Sequence, residues 1–282
     1  PHWWEKNVNK AIVAGLLAAP IVIWGLSTFR HELEHSLLEY VSFIILLGSL
    51  FTISGGLYLD GDVRCRPRDN SIVLVIGSVL ANLIGTTGAA MLLIRPLLRA
   101  TRQRRKVVHT VVFFIFIVCN TGGCLTPLGD PPLFLGYLNG VPFTWTLTLW
   151  KPWLLVNALL IAIYFVYDSI LVRREAPESM AHDRAQATPI RVLGWHNIFF
   201  LGGVVLAAAL IKDSKVRDGA LLALAVASYA TTRSSIREKN GFSWSPIIEV
   251  AVLFAGIFAT MVPALLYLKA HAPELGIRTP LQ

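Results

Sequence analysis

Charge is scarce in this sequence. Only 15% of its 282 residues are Asp, Glu, Lys or Arg, against about 25% in ordinary soluble domains. The deficit is uneven. Charge is missing from long apolar blocks and concentrated in the short segments between them, which excludes a soluble domain and fits a polytopic membrane protein. Cysteine is also sparse. Cys65, Cys119 and Cys124 have no zinc or redox spacing, and nothing about them implies an oxidising compartment. Cys119 and Cys124 fall in an apolar block, where a thiol serves as a small packing residue. The first apolar block does not read as a secretion signal, because it is flanked by Lys6 and Lys10 and has no clear cleavage site.

What is abundant is apolar surface and positive charge. The chain is 55% hydrophobic, its mean hydropathy is +0.61, and its net charge is +8. No basic face interleaves with aromatics, so no nucleic-acid partner is expected. The basic residues gather in loops instead, mainly Arg99, Arg102, Arg104, Arg105 and Lys106. Such clusters beside spans mark the cytoplasmic side. Membrane lipids are the expected surroundings, in a multi-pass location in the bacterial cytoplasmic membrane, and no cofactor is expected.

A span needs about 20 mostly apolar residues. Candidates are Ala11–Thr28, Tyr40–Leu59, Ser71–Leu98, Val107–Cys124, Pro152–Val172, Trp195–Ile211, Gly219–Thr231 and Ile247–Leu268. Gly219–Thr231 is short enough to be a tilted or interfacial helix. With the Arg99–Lys106 loop inside, Val141–Trp150 lies outside and Arg173 and Arg174 return inside. Trp3, Trp4, Trp145, Trp150, Trp153, Trp195 and Trp244 read as aromatic belts, and Asp168 as an interfacial residue. Residues 175–192 form a polar loop. The fold class is all-α, with a single membrane domain over 1–282 and no soluble domain.

Two apolar segments are interrupted. Asn120-Thr121-Gly122-Gly123-Cys124-Leu125-Thr126-Pro127-Leu128-Gly129-Asp130-Pro131-Pro132 follows an unambiguous apolar run. Glycines, prolines and an aspartate cannot continue an ordinary helix, and non-helical backbone at membrane depth must be buried in protein or line a wet cavity. An intramembrane carboxylate is expensive, which makes Asp130 a functional candidate. The oxygens of Asn120, Thr121 and Thr126 and the unwound carbonyls are hard ligands suited to a small cation. Asp130 can hold that cation or a proton. The alternative is an extramembrane turn in which Asp130 caps a helix. The second interruption, Asn82-Leu83-Ile84-Gly85-Thr86-Thr87-Gly88, repeats the chemistry. By itself it could equally serve close helix packing.

These residues resemble the ion transporter superfamily, which includes NhaD-type sodium/proton antiporters, arsenite permeases and citrate transporters. Leu80–Leu98 and the thirteen residues 120–132 carry the likeness, and Pro246–Leu268, with Glu249, resembles the start of that family's second half. The closest resemblance is to bacterial sodium/proton antiporters. It implies an inverted-repeat transporter with a re-entrant hairpin and broken helices, homodimer assembly and elevator-type movement. It places the first repeat at 1–174, with breaks at 82–88 and 120–132, and the start of the second at 193–282. Carried over, it marks Asn120, Thr121, Gly122, Gly123, Thr126, Pro127, Gly129, Asp130 and Pro131 as the ion region. Asn82, Thr86 and Thr87 match less strictly. Asp130 and Glu249 become candidate proton carriers, with Na⁺ (or Li⁺) and H⁺ as transported ions and no other metal. The family's second polar break has no counterpart before Gln282, and the first residue is Pro1 rather than Met, so the expectation is a piece of a longer protein. An anion such as citrate or arsenite is the alternative substrate on the same fold. A basic residue in the site would favour it, and Arg95 is the candidate nearest a break, although it could instead snorkel toward the basic loop.

One rival comes from another class. His31-Glu32-Leu33-Glu34-His35 satisfies H-E-x-x-H, in which two histidines on one helix face bind zinc and the glutamate acts as general base. Asp60 would supply a third ligand. The motif lies between two apolar blocks rather than inside one, which makes an amphipathic interfacial helix the plainer reading, and Asp60 shares a charged loop with Asp62, Arg64 and Arg66.

Overall fold

The computed structural model describes residues 3, 6–61, 66–102, 104, 106–174 and 191–271. Cys65, Trp4, Asp62, Arg64, Arg105 and nearly all of the 175–192 loop lie outside the described residues.

Apolar runs become helices because only a helix satisfies every backbone group within its own segment in lipid. In chain order these are α1 (Asn7–Thr28), α2 (Arg30–Ser54), α3 (Pro67–Ala100), α4 (Val108–Phe114), α5 (Pro131–Leu138), α6 (Trp150–Val172), α7 (Asn197–Leu210), α8 (Ser214–Thr231), α9 (Ser234–Lys239) and α10 (Ser245–His271). Six helical stretches among the described residues are long and apolar enough to cross a membrane: Asn7–Thr28, Arg30–Ser54, Pro67–Ala100, Val108–Leu125, Trp145–Val172 and Ser245–His271. The all-α polytopic class is therefore correct. Among the described residues its one exception is a pair of three-residue strands, β1 (Tyr58–Asp60) and β2 (Arg191–Leu193), antiparallel with Leu59 opposite Val192. Arg99 of α3 holds β1 by donating to the Leu59 carbonyl at 2.6 Å and to the Tyr58 hydroxyl.

Contacts cluster into two compact units, residues 1–46 with 243–282, and residues 47–242. This division does not follow the 1–174 and 193–282 stretches, whose repeat relationship is a matter of symmetry and stays a proposal. In the first unit α1 and α10 pack together, with the Gly256 position against Ala14. Lys10 pairs with Glu249 at 2.6 Å. Ser36 and Tyr40 of α2 donate to the carbonyls of Phe258 and Ala251, both at 2.9 Å, and Phe43 stacks on Phe254 with ring centroids 4.7 Å apart. The core of the second unit is built from Ile53, Leu74, Leu97, Phe114, Ile117, Phe134, Tyr164 and Leu221, all essentially sealed from solvent.

Two expectations need correction. His31–His35 is neither a connection nor a separate interfacial helix, because α2 starts at Arg30 and only Phe29 separates it from α1. His35 Nδ1 lies 3.4 Å from Glu39 Oε1, one helical turn away, and no group of three metal-ligating side chains exists among the described residues. Asp168, in turn, does not face water or lipid headgroups. It is fully buried, and its Oδ1 takes Arg104 Nη2 at 2.5 Å and His109 Nε2 at 2.8 Å. A carboxylate so deep needs such partners, because an isolated buried charge costs several kcal/mol.

Candidate functional site

Helix α3 has 34 residues. At 1.5 Å per residue it would run about 51 Å, well beyond the roughly 30 Å apolar core of a bilayer. It breaks at Gly85, where φ is 76° and ψ is 156°, a conformation essentially restricted to glycine. The Thr86 amide would have bonded the Asn82 carbonyl in an unbroken helix. Instead it donates to the Gly129 carbonyl at 3.1 Å. The expected interruption at 82–88 is thus real and centres on one residue.

The Val108–Leu125 span ends differently. Its winding loosens into a π-helical stretch at Ile115–Asn120 and then tightens into a 3₁₀ turn at Thr121–Leu125. Inserted π turns recur at functional sites. Two side chains support the change of winding. Asn120 Nδ2 donates to the Ile115 carbonyl at 3.0 Å. The Thr121 hydroxyl lies 3.0 Å from the Phe116 carbonyl and 2.9 Å from Asn157 Oδ1 on α6. The chain then turns extended at Thr126 and again at Asp130 before entering α5.

The two breaks meet. Asn82 Oδ1 accepts the Leu125 amide at 2.7 Å, its Nδ2 donates to the Ser78 carbonyl at 2.9 Å, and the Thr126 hydroxyl donates to the Asn82 carbonyl. Gly123 and Gly129 touch backbone to backbone, so that a Cβ on Gly129 would sit 1.9 Å from the Gly123 oxygen. Helix α6 and the turn before it cover the crossing. Trp153 Nε1 donates to the Gly122 carbonyl and the Thr146 hydroxyl to the Leu125 carbonyl, both at 2.9 Å. These freed backbone groups are thus satisfied by protein, as non-helical backbone at membrane depth would require. Ser78, Thr146, Trp153 and Asn157 were not singled out for this work from the sequence. Asn157, a polar residue inside an apolar span, was the available signal.

Asn82, Thr121 and Thr126 therefore spend hydrogen bonds on architecture, although each keeps oxygen lone pairs. Gly122, Gly123, Pro127 and Gly129 are buried in the crossing, Thr86 is buried beside Gly123, and Thr87 is exposed. Pro131 opens α5. Asp130 stands apart. It occupies the N-cap position of α5, yet its side chain makes no capping bond. The reason lies in the sequence. A capping side chain accepts from the amide two or three residues on. Pro132, at the first of these, has no N–H, and the Leu133 amide at the second donates to the backbone carbonyl of Asp130 at 3.1 Å. The capping alternative thus fails, and the carboxylate is left half-buried with no hydrogen bond or ion pair among the described residues. Such a group can hold a small cation or a proton.

The remaining candidates fall elsewhere. Glu249 is paired with Lys10 in the other compact unit. Arg95 is exposed and donates to the Lys239 carbonyl at 3.2 Å, with no hydrogen bond to either break among the described residues. A different arginine was missed. Arg217 of α8 is buried and lies against Phe134 and Tyr137 of α5, with its guanidinium carbon 6.0 and 5.6 Å from the two ring centroids.

Comparison with known proteins gave one positive finding. The model of a family described as "Putative citrate transport" matches residues 1–278. No curated protein and no solved structure matches the chain.

Proposed function

This chain belongs to that citrate-transport family, and we propose from that premise that it carries citrate or a similar multiply charged carboxylate, with a cation or proton bound at Asp130 as the coupling partner. It is a multi-pass membrane protein and a secondary transporter. The observation that carries the coupling role is the Asp130 carboxylate, placed at a break and left uncapped because Pro132 has no N–H and the Leu133 amide bonds the Asp130 carbonyl.

The physics of the pairing is simple. Moving one elementary charge through 100 mV is worth about 2.3 kcal/mol, so a multiply negative substrate needs companion positive charge to enter a cell. Asp130 in its ionised form would also repel that substrate. Neutralising it with Na⁺ or H⁺ removes the repulsion and ties substrate binding to cation binding. A second reading, exchange of Na⁺ (or Li⁺) for H⁺ at the same carboxylate, is favoured by the hard oxygens of Thr121, Thr126 and the unwound carbonyls. Elevator-type movement and a homodimer belong to the proposal for either substrate.

The test uses purified protein in liposomes. Wild type should take up labelled citrate faster when a Na⁺ or H⁺ gradient points inward. Replacing Asp130 by Asn should make uptake equal with and without the gradient. A D130N variant that still responds fully to the gradient refutes the assignment. Na⁺-driven proton flux without citrate, lost in D130N, would select the exchange reading.

A further inference from the structure

Four arginines are buried or largely buried in the second unit, and they use their donors differently. Arg99 bonds the Tyr58 hydroxyl and the Leu59 carbonyl through Nη1 and Nη2. Arg104 reaches Asp168 through Nη2. Arg237 reaches the Thr52 and Ser228 carbonyls through Nη1 and Nη2. Arg99 and Arg237 anchor both terminal nitrogens and leave only Nε without a hydrogen-bond partner, and Arg104 anchors its Nη2 on a carboxylate. Arg217 is the reverse. Its Nε donates to Asp218 Oδ1 at 3.4 Å, an ion pair with the neighbouring residue, and its buried Nη2 has no hydrogen-bond partner among the described residues. Its side chain is only 4% exposed. An unpaired donor on a buried charge is costly, and a purely structural arginine would be expected to place its fork on carbonyls, as Arg237 does.

The surroundings hold this guanidinium in place without using its Nη2. Phe134 and Tyr137 lie beneath it at cation–π distance, Phe134 is sealed in the core, and the Tyr137 hydroxyl donates to the Ala208 carbonyl at 2.8 Å. Both rings belong to α5, the helix that starts beside Asp130. Phe134 stands one turn along it, about 6 Å of rise from Asp130. A planar fork fixed by aromatic stacking is well suited to paired hydrogen bonds with a carboxylate.

We infer that Arg217 is a substrate-carboxylate contact, binding one carboxylate of the transported anion through its Nη edge on the α5 side of the site. The inference rests on the carboxylate reading above and adds the residue that recognises the anion, where Asp130 handles the cation.

Citrate is the probe. Uptake kinetics in liposomes and citrate-induced thermal stabilisation of the detergent-solubilised protein are measured for wild type, Arg217→Lys and Arg217→Gln. Loss of a charge-assisted pair predicts a citrate KM raised about 10- to 100-fold in R217Q, and by about tenfold in R217K, which keeps the charge but not the fork. The citrate-induced stabilisation should disappear in R217Q, while a stabilising role alone would change melting without citrate and leave KM where it was. Should R217Q not fold, R217K decides alone. Wild-type citrate uptake with unchanged KM in the folded variants overturns this inference and leaves the carboxylate reading intact. A wild type that neither binds nor takes up citrate overturns both.

Discussion

Replacing Asn82 by Ala tests whether one side chain ties the two breaks together. Asn82 is only 6% exposed. Its carboxamide accepts the Leu125 amide at 2.7 Å and donates to the Ser78 carbonyl at 2.9 Å. Ser78 lies within α3, so its carbonyl keeps a backbone partner, and that lost bond costs about 1 kcal/mol. Leu125 has no such reserve, since its amide sits at the end of a 3₁₀ turn. Orphaning it costs about 1–2 kcal/mol. The sum is about 2–3 kcal/mol. For chains of 150–250 residues each kcal/mol moves the melting temperature by about 2–4 °C, so N82A should melt roughly 4–12 °C lower. Fluorescence-detected melting in detergent measures it, with citrate uptake as the functional readout. A variant that melts within about 1 °C of wild type and transports normally would refute the claim that Asn82 bridges the breaks.

Gly85→Ala should destabilise the protein by about 1–3 kcal/mol, because alanine is forced into a glycine-only conformation with its Cβ 3.2 Å from the Leu128 carbonyl. The same melting assay reads it, and no loss means that α3 can rearrange around the break. Asp168→Asn should cost about 3–5 kcal/mol, since it leaves Arg104 buried without its counter-charge. Arg104→Met combined with Asp168→Leu should restore much of that loss, and urea denaturation compares the three. Glu249→Gln should lower stability by about 1 kcal/mol or less, given that Glu249 is 41% exposed, while uptake stays gradient-dependent. If gradient dependence vanishes at wild-type stability, Glu249 and not Asp130 carries the proton.

Much of the fold could be read from composition because lipid leaves the chain few options. Where backbone polar groups have no water, an apolar run must become a helix, and the spans at Ser71–Leu98 and Pro152–Val172 reappear within a few residues as Pro67–Ala100 and Trp150–Val172. The break at 122–132 was legible because its Gly/Pro run cannot continue a helix, while the Gly85 break was only suggested, since a glycine costs a helix about 1 kcal/mol and can equally serve close packing. Harder to foresee was which groups would satisfy the broken backbone. Trp153 read as a belt residue, but its indole donates to Gly122. Asp168 read as interfacial because it stands near a helix end, and only the approach of Arg104 and His109 makes its burial tolerable. The H-E-x-x-H motif misled by its position, because the polar start of a spanning helix looks like a loop when judged by hydropathy alone. Arg217 stands among Lys212, Lys215 and Asp218 in the sequence, where nothing in the spacing marks one cation for burial. Its burial depends on α5 and α8 meeting across about 80 residues of chain.

The contact between Gly123 and Gly129 bears on how this signature should be interpreted in other genomes. Neither position tolerates a side chain, whatever the protein does, because the obstruction is the opposing main chain. Drift at these two sites is therefore blocked even in a descendant that has ceased to transport. Persistence of the glycines therefore reports ancestry and architecture, and under the coupling role proposed for Asp130 it is retention of that carboxylate that would separate a working carrier from a relic.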